Sequence, residues 1–308
     1  MIRSILFVSV LAFVFGYKNK SPGTPVTFVN VADTIPMPVF PVKDSLGLPD
    51  GYKANIVTPV CESDKCYIIE IDFYWDLIGR FVRYDTIPGM GLTKLDHVPL
   101  TEEDYLKLQE ILSNRNSILS TYTKDELINS TRTSEIDGIT GATAAEIKEN
   151  VISGGVYSCF TLWHIANGPV EDSLQETTAS AFSEGLIKKL VSQKDQEINY
   201  FLINNLSEEN FMKYLDEVLQ TIHQAEGYYV KNVIEKMPEI VVADSLAQQF
   251  FAINFSRFNY YAQVALLQKL NAKSLSLDMI TTLGENMDDR NSYKNELIKS
   301  LLASENDP

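Results

Sequence analysis

The sequence predicts an α+β protein: a small sheet-and-helix domain over about residues 50–170, then an all-α repeat domain over 171–308. Three observations predict it. Ile69, Ile71 and Phe73 alternate with Glu70, Asp72 and Tyr74, which is the period of a half-buried strand. Beyond residue 171 helix formers dominate and prolines nearly vanish, leaving Pro238 and Pro308. Tyr229, Tyr261 and Tyr293 recur every 32 residues (229, 261, 293), each ahead of an amphipathic helix.

With 308 residues and 45% apolar content, the chain has material for one large or two ordinary cores. A net charge of −15 excludes nucleic acid as a partner, because phosphates need a basic surface.

Residues 1–16 read as a secretory signal. Arg3 supplies the positive start, and the apolar run Ser4 to Phe15 is too short to span a bilayer. The reading implies export to a periplasmic or extracellular space, with an uncleaved membrane anchor as the alternative. Residues 17–49 form a Pro-rich extended segment. Proline spacing there, and on to Pro59, opposes helices and central strands, so an edge strand at Val26–Val31 and ordered coil are expected.

Cys61 and Cys66 bracket the polar insert Glu62-Ser63-Asp64-Lys65. In an exported chain this predicts a local disulfide. A redox dithiol fits less well, since the spacing is not Cys-x-x-Cys. The histidines at 97, 164 and 223 offer no evident metal set with them. Cys159 lies in an apolar run and reads as a buried free thiol.

The strand through Tyr67–Trp75 turns at Asp76-Leu77-Ile78-Gly79-Arg80 and returns through Phe81–Tyr84. Thr101 starts a helix over Glu102–Leu112, with Leu106, Leu108, Ile111 and Leu112 expected inward. Asp96-His97 reads as a structural hydrogen-bonded pair, with tuning or protonation of a cofactor as the alternative. A further helix is expected from Thr143 to about Ile152, broken by Gly154-Gly155. A buried helix carrying Val156, Cys159, Phe160, Trp163 and Ala166 follows, and Asn167-Gly168-Pro169 ends the domain. In the second half helical stretches are predicted over 208–222, 244–255 and 276–287. Two helices per unit at a period near 32 is similar to an α-solenoid of the HEAT type, with an ordinary helical bundle as the alternative.

One stretch carries chemistry: Asp137-Gly138-Ile139-Thr140-Gly141-Ala142-Thr143. It resembles the flavinylation motif Asp-x-x-(Ser/Thr)-Gly-Ala-Thr of FMN-binding domains, as found in the sodium-translocating NADH:quinone reductase and its relatives. The resemblance is confined to these residues and their surroundings. It implies covalent FMN, a phosphoester on Thr143 installed by a flavin transferase, with Asp137, Thr140, Gly141 and Ala142 shaping the cofactor site. The residue types suit that chemistry. Thr143 offers a hydroxyl, Gly141 and Ala142 let a bulky donor approach, and a helix start presents free N–H groups to a phosphate. Tyr74, Trp75, Phe81 and Tyr84 could stack on the flavin ring or simply fill a core.

On this reading the protein relays electrons outside the cytoplasm, with an unidentified redox partner and no substrate of its own. A second reading also stands. Thr143-Ala144-Ala145-Glu146 is a capping box that needs no cofactor, and the repeats would then be a scaffold for a protein partner.

Overall fold

Strand alternation at Ile69, Ile71 and Phe73 builds β4 (Lys65–Trp75). The computed structural model describes residues 24–31, 35–62, 65–94, 97–123, 126, 150–225, 228–288 and 290–303. β4 lies between β3 (Pro49–Glu62) and β5 (Phe81–Thr86), and β1 (Thr27–Val31) and β2 (Ile35–Lys43) complete an antiparallel sheet of order β1-β2-β3-β4-β5. Ile71 and Phe73 face Ile56 and Ala54 of β3, and all four are fully buried. Directly opposed residues share a face of the sheet, so one register fixes this layer of the core. Burying a side chain as large as Ile71 or Phe73 contributes roughly 1.5–3 kcal/mol.

The expected edge strand is present as β1, but the described residues that follow it in the Pro-rich segment are not mainly coil. They supply β2, an interior strand that holds Pro36, Pro38 and Pro41. The register explains how. Val26 N–H donates to Val39 C=O (2.8 Å), so odd positions of β2 face β1 and even ones face β3. The missing N–H of Pro36 and Pro38 therefore points toward β3, whose ladder with β2 stops at Val39. That of Pro41 points toward β1, whose ladder stops at Thr27↔Val39. Each proline sits where no donor is needed.

Among the described residues, three helices cover the sheet. α1 (Glu102–Ser113) opens on a capping box in which Asp104 N–H donates to Thr101 Oγ1 and Thr101 N–H donates back to the Asp104 carboxylate. Leu108, Ile111 and Leu112 are buried as expected, but Leu106 is 68% exposed. It precedes Leu108 by two positions, about 200° around the helix, and so lies on the opposite face. α2 (Val156–Asn167) packs on α1, β1 and β3, and α3 (Val170–Ser180) packs on β1. Two indoles tie the layers. Trp75 Nε1 donates to Ala166 C=O and Trp163 Nε1 to Asn114 C=O, both at 2.9 Å. The helix expected to reach Ile152 does not, because residues 150–152 are turn and coil. There Ile152 N–H donates to Cys159 Sγ (3.3 Å) and Ile152 C=O accepts from Gly155.

The second half holds α4 (Glu184–Ser192), α5 (Gln196–Asn205), α6 (Glu208–Lys213), α7 (Leu215–Gln224) and α8 (Tyr229–Lys236). α9 (Glu239–Val242), α10 (Ser245–Asn254), α11 (Tyr260–Lys269), α12 (Leu277–Glu285) and α13 (Ser292–Ala303) follow. They pack in two rows, α5-α8-α11-α13 and α4-α7-α10-α12. Side-chain bonds also link neighbouring units: Asn232 Nδ2 donates to Tyr200 OH (3.1 Å), and Lys294 Nζ to Gln263 Oε1 (3.3 Å).

The stretch expected as one helix over 208–222 is two, broken at Tyr214, which leaves helical angles (φ −115, ψ 32) and is buried. The break belongs to a recurring link. α5, α8 and α11 each end on a buried apolar residue in extended conformation: Leu206 (ψ 130), Met237 (ψ 129) and Leu270 (ψ 138). A short helical piece then carries the chain into the other row: α6, α9 or the 3-10 turn Ala272–Ser274.

Candidate functional site

Asp137, Thr140, Gly141, Ala142 and Thr143 lie outside the described residues, as do the signal segment 1–16 and Asp96. What is described is the ground on which the motif's segment stands. On its near flank Thr123 and Glu126 form a capping pair: Thr123 N–H and Oγ1–H both donate to Glu126 Oε2 (2.8 Å). On its far flank Ser117 Oγ donates to Asn150 Oδ1 (3.5 Å), and Ser117 Oγ also accepts from Leu119 N–H. Leu119 in turn bonds the His164 ring through its backbone.

No motif points to that imidazole. It packs between Phe160 (4.3 Å between ring centres) and Trp163 (5.0 Å), and its Nε2 is buried with no hydrogen-bond partner among the described residues. Burial lowers its pKa, against the pull of the Leu119 backbone, which favours the neutral ring. Cys159, one turn before Trp163, is fully buried, and burial pushes its thiol up to about 11. It is a free thiol with no thiolate character at neutral pH.

The aromatic candidates separate. Trp75 and Phe81 are buried against Phe73, edge to face at 5.7 and 5.2 Å, and fill the core. Tyr84 is half-buried and donates to Tyr105 C=O (2.7 Å). Tyr74 lies on the other face of the sheet, with the Arg83 guanidinium 3.8 Å from its ring centre and Lys53 at 5.3 Å. The four are thus divided between two faces and do not form one aromatic pocket. His97 is exposed and holds a positive φ of 59. Cys61 and Cys66 are directly opposite each other in the β3–β4 register; their side chains lie outside the described residues.

The structure also joins the expected Asp76–Arg80 turn to groups that no motif announced. Asp76 nucleates the β4–β5 turn, accepting at Oδ1 from Ile78 N–H (3.0 Å) and Arg80 N–H (2.9 Å). The tip, Leu77 and Ile78, is buried in the core of the helical half, not that of the sheet. Thr178 of α3 donates to Leu77 C=O (2.5 Å) and hydrogen-bonds Tyr52 OH (2.6 Å), while Gln175 donates to Ile78 C=O (3.1 Å).

No family model, curated protein or solved structure matches this chain. The junction is therefore read from its own residues. Arg80 reaches Asp76, Asp195 and Glu197, and Arg115 reaches Glu171 and Glu197, so Glu197 links both arginines. A polar cleft of ≈ 500 Å³ opens beside this network, lined by Asn114, Arg115, Asn167, Glu171 and Glu197 among others. Burial raises the pKa of Glu171, with Arg115 opposing. For Asp195 burial also pushes upward but is outweighed by the Ile198 N–H and by Arg80, so its pKa is lowered. Each arginine meets carboxylates already in place, which makes this cluster a tie between the two cores. Among the described residues no group of three or more His, Cys, Asp or Glu is placed to hold a metal ion.

Proposed function

We propose that this protein is an exported flavoprotein that carries FMN covalently on Thr143 and relays electrons. The observation that carries the reading is the run Asp137-Gly138-Ile139-Thr140-Gly141-Ala142-Thr143, in which a threonine hydroxyl follows two minimal residues. The attachment step balances simply. The Thr143 oxygen bonds to the FMN phosphorus of FAD as the phosphoanhydride breaks, AMP leaves, and the hydroxyl proton passes to solvent or a transferase base. Bound FMN supplies the redox chemistry, while the chain supplies attachment and surroundings.

Coexpression with a flavin transferase should add one FMN phosphoester, seen as fluorescence on a denaturing gel and as a modified peptide containing Thr143. Thr143→Ala should abolish the adduct at a stability cost of about 1 kcal/mol from the lost cap. Thr140→Ala should lower loading less. A wild type left unmodified by an active transferase would sink the reading, and Thr143 would be a helix cap alone.

Export implies that Cys61 and Cys66 are joined. Their opposed register, one directly across from the other in the β3–β4 hairpin, supports the pairing. Thiol labelling of denatured, non-reduced protein should then modify Cys159 alone. Labelling at all three cysteines would refute the pairing.

A second reading, a HEAT-like scaffold for a protein partner, is favoured by the apolar residues the helical rows leave exposed, Leu246, Ile253 and Leu277 among them.

A further inference from the structure

α7 and α10 lie side by side in one row, and a groove of ≈ 390 Å³ runs between them. One wall is apolar. Leu246, Phe250 and Ile253 stand at i, i+4 and i+7 of α10, a single stripe of a helix. Ile253 is 71% exposed and Leu246 44%. The other wall is polar: Asp216, Gln220 and His223 occupy i, i+4 and i+7 of α7, with Leu219 buried between the walls.

The two ends differ in charge. Asp216 and Leu246 stand at one end, where Lys188 is engaged by Glu184 (2.6 Å) and Glu217 (3.9 Å) and acts on Asp216 only through space. His223 and Ile253 stand at the other. There the groove runs into a second cleft, which shares His223 and Phe250 and is lined by Asn254, Arg257 and Asn259. Arg257 is exposed and donates to Asn254 Oδ1 (3.2 Å).

We propose that this groove docks an amphipathic helix of a partner protein, with an acidic first turn at Arg257 and a basic last turn at Asp216. The stripe from Leu246 to Ile253 is about 10 Å long, two turns of a helix, which suits three apolar residues at i, i+4 and i+7 of the occupant. Acidic first turns and basic last turns also stabilise the docked helix itself. The match sets its direction antiparallel to α10, in which helix dipoles attract. The proposal rests only on the α7–α10 region and is independent of flavin on Thr143.

The test uses the full chain and a fluorescein-labelled, hydrocarbon-stapled peptide with two Glu in its first turn, Leu at i, i+4 and i+7, and two Lys in its last turn. Saturable binding by anisotropy is expected. Ile253→Asp should weaken it about tenfold or more, as loss of a central apolar anchor does. Asp216→Lys should weaken it several-fold, and a peptide with its two Lys changed to Glu should restore binding to that variant. Both side chains are exposed, so circular dichroism should be unchanged for both variants; Ile253→Asp should keep the wild-type Tm, and Asp216→Lys should lower it only slightly, since Asp216 lies in the first turn of α7. Absent binding, an Ile253→Asp variant that binds like wild type, or failure of the charge-swapped pair to recover would each overturn the proposal. So would sedimentation showing a wild-type dimer that Ile253→Asp dissociates, because a second copy would then be the occupant.

Discussion

Gly79→Ala is expected to lower the free energy of unfolding by about 2–5 kcal/mol. Two effects add. Gly79 holds φ at +81, where an L side chain costs roughly 1–2 kcal/mol. A methyl there would also stand 2.8 Å from both Cα and the carbonyl oxygen of Glu171, which is backbone and cannot turn aside. Forcing α3 away from the turn adds about 1–3 kcal/mol of overpacking. Two other glycines separate the effects. Gly47 (φ +80) and Gly89 (φ +82) have nothing within 4 Å of the added methyl, so Gly47→Ala and Gly89→Ala should show the backbone cost alone. Urea unfolding of the three variants checks this. If Gly79→Ala matched the other two, the turn would not be seated on α3.

Leu77→Ala should destabilise by about 2–5 kcal/mol, the range for a fully buried leucine whose site cannot collapse. Its particular consequence lies in cooperativity. Leu77 belongs to a sheet hairpin but is buried with the helical core, so its truncation weakens the link between the cores as well as one core. Calorimetry should show a single transition in the wild type and a broadened or split one in the variant, with the ratio of van't Hoff to calorimetric enthalpy falling. Val82→Ala, a neighbouring change at a half-exposed site, should leave the transition single. A loss below about 1 kcal/mol for Leu77→Ala would mean the tip is not packed as described.

Much of the fold is legible in the chain. Ile69, Ile71 and Phe73 announce β4, because period 2 is a property of the strand itself. Thr101 and Asp104 announce the start of α1 for the same local reason. The interval between Tyr229, Tyr261 and Tyr293 foretells helices at regular spacing, since a repeating unit needs a repeating contact. Local rules fail where a neighbour decides the outcome. Pro36, Pro38 and Pro41 oppose a central strand in isolation, yet β2 is central because the adjoining ladders stop where each proline lacks its donor. Leu106 is apolar and lies outside, since only Leu108, Ile111 and Leu112 face the sheet side.

The candidate site divides in the same way. Residue order alone carries the candidate acceptor hydroxyl at Thr143, the turn at Asp76–Arg80 and the closely spaced pair Cys61 and Cys66, because each depends on residue types at short separation. Only packing in three dimensions puts the turn's tip in the helical core, joins Arg80 and Arg115 through Glu197, and sets Leu246, Phe250 and Ile253 opposite Asp216 and His223 across a groove. These partners are separated by tens of residues along the chain. What joins them is burial of apolar surface and pairing of charge, and neither leaves a periodic mark in the order of residues.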